Sequence, residues 1–158
     1  EKKRIQHLLL SFHGLPVSHV KKTDQSQTHC SQSTMCCESQ TVHNEHCYRR
    51  QCLATAQALM SHFPDLAYSV SFQSRLGRQA WIGPETATHI QNLRQQGISR
   101  LAVMCPSFVS DCLETEEEIG HTAKQAFLAT GAEVFELIPC LNTSQAFIQA
   151  LAHISQCS

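Results

Sequence analysis

Short continuous apolar runs alternate along the chain with longer stretches in which apolar residues recur at helical spacing. The runs from His7 to Phe12, Tyr68 to Phe72, Leu101 to Met104 and Glu133 to Leu137 have strand length and little polar interruption, as expected of strands covered on both faces. A helical stretch follows each one: Cys47 to Phe63, Pro84 to Gln96, Cys112 to Thr130 and Ser144 to Ser155. Gly97 and Gly131 stand where the second and third of these should stop, and Pro84 stands where a first-turn proline belongs. Strand and helix in strict alternation predict an α/β fold, a four-stranded parallel sheet flanked by helices and joined by right-handed crossovers. Val17 to His46 breaks the pattern, being polar and without period. A loop of that length inside a domain is usually functional or disordered, and its cysteines point to the former.

At 158 residues and 42% hydrophobic content the chain is one domain, residues 1–158, with an insertion at about 17–47. It begins without Met and runs almost at once into a strand, which predicts that the first part of a longer polypeptide is missing. A formal charge of -1 supplies no field for nucleic acid or anionic lipid, so partners are recognised locally. No apolar run approaches the length of a membrane span. Nine cysteines and ten histidines are a heavy load, and an odd number of thiols does not suit a closed disulfide framework; metal chemistry suits it better. Cys30, Cys36, Cys37, Cys47 and Cys52 cluster, whereas Cys105, Cys112, Cys140 and Cys157 are scattered.

Ligands of open parallel sheets bind beyond the carboxyl ends of the strands. The first strand ends in Ser11-Phe12-His13-Gly14-Leu15-Pro16, with an imidazole beside a glycine that permits a sharp turn. The second ends in Ser71-Phe72-Gln73-Ser74-Arg75 and leads to Trp81 and Pro84, and the third runs through Phe108 to Asp111-Cys112-Leu113-Glu114-Thr115. On α-helical geometry, Asp111, Glu114, Glu118 and His121 make a stripe about 80° wide, opposite a core face of Ile119, Ala123, Ala126 and Phe127. Such a stripe is either a ladder of acids at the functional edge or a solvated face whose early acids favour the helix dipole. Taken singly, His13 reads as a residue filling a strand end, and Phe72, Trp81 and Phe108 read as core.

In combination these segments, with Ile138-Pro139-Cys140-Leu141-Asn142, resemble the successive signatures of ferrochelatase in that family's order, over nearly the whole chain. The resemblance implies a Rossmann-like chelatase half-domain, the second half of a lyase that inserts ferrous iron into a porphyrin to form heme. It implies that His13 and Glu114 are catalytic and hold the metal, that Asp111 and Glu118 extend the acidic metal path, and that Leu15, Trp81 and Phe108 line the porphyrin cleft. Where the family often carries a further acid one turn beyond Glu118, this chain has His121 and Thr122. Imidazole titrates near neutral pH, which makes His13 the natural base, although Glu114 could take that role. Implied partners are porphyrin, Fe2+ and the missing amino-terminal half, without which the chain is expected to be inactive. The implied location is the bacterial cytoplasm, with peripheral membrane contact left open.

The usual family connection between Pro16 and Cys52 is shorter, so Cys30, Cys36, Cys37 and Cys47 sit in an inserted segment. Some microbial ferrochelatases carry a 2Fe-2S cluster in such a segment, and four thiolates are its common ligand set. Cys52 resembles a helix residue of relatives without a cluster. The spacing fits no zinc-finger pattern, though a zinc site or a loop of uncommitted thiols remains an alternative, and His29, His43 or His46 could replace a thiolate. Two other functions compete: a small cobalt or sirohydrochlorin chelatase that pairs with itself, and an iron-sulfur module with a degraded catalytic site.

Overall fold

The computed structural model describes residues 4–24, 26, 28–30, 36–38 and 41–156. The remaining positions of the cysteine-rich insertion, and Cys157, lie outside the described residues. Four parallel strands form one sheet in the order β2-β1-β3-β4, with β1 at His7–His13, β2 at Ala67–Gln73, β3 at Arg100–Met104 and β4 at Val134–Leu137. The helices are α1 (Val17–Lys21), α2 (Tyr48–Met60), α3 (Thr86–Gln95), α4 (Leu113–Thr115), a π-helix (Glu116–Ala123), α5 (Lys124–Ala129) and α6 (Gln145–Gln156).

The central strands are mostly apolar because helices cover both of their faces. Leu8, Leu10 and Phe12 of β1 point into one layer with Cys52, Ala56 and Met60 of α2. Leu9 points into the other, with Ile90 and Leu93 of α3, Leu101 and Val103 of β3, and Ile119, Phe127 and Phe135. Alternation along β1 therefore feeds two cores at once. Chain order moves from β1 outward to β2, then back across β1 to β3 and β4, so the winding direction reverses between β1 and β3. A crevice opens beyond the carboxyl ends of strands at such a reversal.

Several expectations need correction. Pro84 lies before α3, whose first helical residue is Thr86 and whose N-cap is Glu85, so it is not a first-turn proline. The stretch from Val17 is not structureless at its start, since α1 makes one short helix there. The segment read as one α-helix over 112–130 is α, then π, then α. A π-helix bonds i to i+5 and turns more slowly per residue, so the 100° projection that drew Glu114, Glu118 and His121 into one stripe does not hold there. Ile119 and Phe127 are buried as expected, but Ala126 is exposed and lines an open groove between α3 and the π-helix and α5.

Candidate active site

His13 is the last residue of β1, and its main chain is fixed from both sides. Its N–H donates to Ser107 Oγ at 2.7 Å, and its carbonyl accepts the Tyr48 hydroxyl at 2.7 Å. The ring Nδ1 lies 2.6 Å from the carbonyl of Gly14. A carbonyl can only accept, so Nδ1 donates to it and Nε2 is the ring nitrogen left to face a ligand. The Phe108 ring leans on the imidazole with centroids 5.9 Å apart. Next comes a corner only glycine fits: Gly14 donates its N–H to the carbonyl of Gln73 at 2.8 Å, and Trp81 packs over it.

Glu114 sits in the first turn after the β3 loop and is half-buried. Its carboxyl is held below the usual glutamate range, first by its own backbone N–H, then by the Cys112 thiol, with the charge of His13 acting in the same direction. Imidazole and carboxylate therefore share one field at the winding reversal, and both are partly open to solvent.

The other acids are engaged in hydrogen bonds. Asp111 accepts from the N–H of Cys140 at 2.9 Å and from Asn142 Nδ2 at 2.7 Å, and its own N–H donates to Asn142 Oδ1 at 2.9 Å. That clasp ties the loop after β3 to the loop after β4 and depresses the Asp111 carboxyl, chiefly through the Cys140 amide. Glu118 accepts from the N–H and hydroxyl of Ser74 at 2.8 and 2.9 Å, holding a residue whose φ is 63°. His121 is exposed on the π-helix.

Leu15, Trp81 and Phe108 are each half-buried around the end of β1. Beyond them stands a rim the sequence reading missed: Leu76 (78% exposed), Val109 and Leu141 in the loops after β2, β3 and β4, and Leu113 (75% exposed) at the start of α4. Large apolar side chains gathered at one edge mark a surface for an apolar ligand or partner.

The cysteine segment packs over the α2 face of the sheet. Cys36 and Cys37 sulfurs are 3.6 Å apart, and Cys37 and Cys47 sulfurs 4.0 Å apart. Four thiolates about 2.3 Å from a tetrahedral metal would be about 3.8 Å from one another, so this spacing suits a shared metal or cluster. Cys30 lines the same small cavity, about 10 Å³, with His29, His43 and Asn44. The sulfurs run as a chain of contacts, and among the described residues no group of three or more His, Cys, Asp or Glu closes into a metal cage. The donor type suits a metal or cluster, and the two sulfur spacings among Cys36, Cys37 and Cys47 are compatible with one. Buried polar side chains carry the segment. Asp24 accepts the N–H groups of Cys30 and His29 at 2.7 and 2.9 Å, and Asn44 donates to the Cys36 carbonyl at 2.9 Å. Cys47 is lowered to about 6, first by hydrogen bonding from Cys37, whose own thiol is pushed up in turn.

A family profile described as Ferrochelatase matches residues 1–157. The chain is 49% identical over 149 residues to a ferrochelatase of Pseudomonas entomophila, covering 92% of this chain and 44% of that protein. It is 46% identical over 151 residues to a ferrochelatase of Stutzerimonas stutzeri, covering 94% and 44%. With a ferrochelatase of Azotobacter vinelandii it shares 48% over 151 residues, covering 94% and 45%. The chain thus spans less than half the length of the relatives it matches.

Proposed function

The chain belongs to the ferrochelatase family, and we propose that it supplies the metal-side half of a site that inserts ferrous iron into a porphyrin to form heme. One observation carries this reading: His13, whose Nδ1 is tied to the Gly14 carbonyl, and Glu114, whose carboxyl is held below its usual range partly by His13, act on each other at the winding reversal of the sheet. Insertion requires removal of two pyrrole protons, exchange of the ion's water for nitrogen ligands, and bending of the macrocycle. His13 is assigned to the proton and metal on one side, and Glu114 to the same tasks on the other. Imidazole and carboxylate together suit ferrous iron and release it, where a thiolate cage would retain it. Asp111 and Glu118 are assigned to the metal path. Their hydrogen bonds to Asn142, Cys140 and Ser74 keep two negative charges in fixed positions beside it.

The cleft is assigned to Leu15, Trp81 and Phe108, widened by the rim of Leu76, Val109, Leu113 and Leu141. A flat apolar macrocycle seated on that rim exchanges exposed side chains for ring contacts, and binding energy gained there can bend it. The second wall belongs to the part of the relatives that this chain does not cover. In keeping with that, α6 has no buried residue and leaves Ile148, Leu151 and Ile154 exposed. A self-pairing small chelatase is disfavoured by the three relatives named above, which are ferrochelatases more than twice the matched length. Mixing this chain with the uncovered half of the P. entomophila relative tests the reading: zinc or iron insertion should require both parts. Full turnover by this chain alone would contradict it.

The 2Fe-2S cluster is assigned to Cys30, Cys36, Cys37 and Cys47, on the sulfur spacing already given. Bound there, it would supply a one-electron centre and a crosslink across the insertion. Nothing in iron insertion needs the electron, so its place is structural or sensory. Freshly purified protein should absorb in the visible, and Cys47→Ser should remove that absorption; a colourless protein binding zinc would favour the zinc site. Among the described residues no helix is long and apolar enough to cross a membrane, and a cytoplasmic site of action is part of the proposal.

A further inference from the structure

We propose that Gln73 is a positioning residue that sets the height of Glu114 above the sheet; this rests on the chelatase reading. Gln73 ends β2 and is 1% exposed, so it touches no substrate. Its Nε2 donates to the main-chain carbonyl of Glu114 at 2.6 Å. Its Oε1 accepts from Ser11 Oγ at 2.7 Å and from the Cys105 thiol at 3.4 Å. The amide orientation is forced, because a carbonyl needs a donor and only the NH2 end supplies one.

The hydroxyls behind it form a directed chain. Ser11 spends its single proton on Gln73, so at its 2.8 Å contact with Thr86 Oγ1 it must accept. Thr86 therefore donates to Ser11 and must accept from Ser71 Oγ, also at 2.8 Å. Protons point from Ser71 through Thr86, Ser11 and Gln73 to the Glu114 carbonyl. All four side chains are buried, at 0 to 2% exposure, where an unmatched polar group is costly. Ser11 stands two residues before His13 on β1. The same network that ends on Glu114 thus passes through the strand that carries the imidazole, and it fixes one group against the other.

The test uses the full-length enzyme assembled from this half and the uncovered half. Gln73→Met keeps the volume and removes every side-chain hydrogen bond of the residue. The folded variant should lose about tenfold to hundredfold in kcat, the scale of a small displacement of a reacting group. KM for porphyrin should stay within about twofold, since no contact to substrate is removed. Ser11→Ala, which keeps the amide but removes the hydroxyl that aims it, should show a smaller fall of the same kind, and it decides the matter if Gln73→Met does not fold. Unchanged kcat in the folded variants, or a loss confined to KM, overturns the proposal while leaving the chelatase reading intact. Absence of metal insertion in the unmutated assembly overturns the reading and the proposal with it.

Discussion

Gly14 shows how closely single residues are set at the end of β1. An added Cβ would lie 2.8 Å from the carbonyl oxygen of Gln73 and 3.2 Å from the Trp81 ring. That carbonyl cannot retreat, because it already accepts the Gly14 N–H at 2.8 Å. Gly14→Ala should therefore destabilise the domain by about 1–3 kcal/mol, the usual cost of overpacking. An unchanged urea midpoint would show that the corner is looser than these contacts imply. At this scale the sequence was partly legible. His13 and Glu114 could be picked out by motif, but Ser107, Tyr48, Asn142 and Gln73 could not, since each acts through a contact far away in sequence. One clue was available for the last: Ser71 and Gln73 are polar at alternate positions of a strand that is otherwise apolar where buried, and buried polar groups need partners.

Among the elements, the strands were legible because both faces of the sheet are covered, which leaves an uninterrupted apolar run. The break of the third helix into α, π and α segments was not, because the i to i+5 pattern follows from tertiary demands and leaves no mark on residue periodicity. Helix α1 escaped notice because five residues are too few to show a period. A half-buried device sits between β1, β2 and α3, where Ser69 Oγ bridges His7 Nε2 and His89 Nε2 at 2.8 Å each. Burial lowers both imidazoles below the ordinary 6.5, and the charge of His89 adds to the effect on His7. The unfolded chain therefore takes up protons that the folded chain resists. This contribution to stability is complete above pH 6.5 and is lost as pH falls through the lowered folded values. Urea midpoints should decline on acidification from neutrality, and His89→Gln should reduce that decline. An identical pH dependence in the variant would contradict the assignment.

The whole molecule presents a complete sheet with an incomplete surface. The apolar rim at the carboxyl edge and the exposed face of α6 are the surfaces that the proposed pairing with the remainder of the enzyme would cover. Ile148→Ser with Leu151→Ser should leave the stability of this chain within about 0.5 kcal/mol, because neither side chain is buried. The pair should weaken recovery of activity with the uncovered half; undiminished recovery would remove α6 from that interface. The measurement that bears most directly on the central claim is metal insertion by the assembled full-length enzyme, followed through the porphyrin spectrum. His13→Ala and Glu114→Gln should each lower turnover by about a hundredfold or more with folding unchanged. Turnover at the unmutated rate in either variant would mean that the imidazole and carboxylate at this strand edge are not the reacting pair.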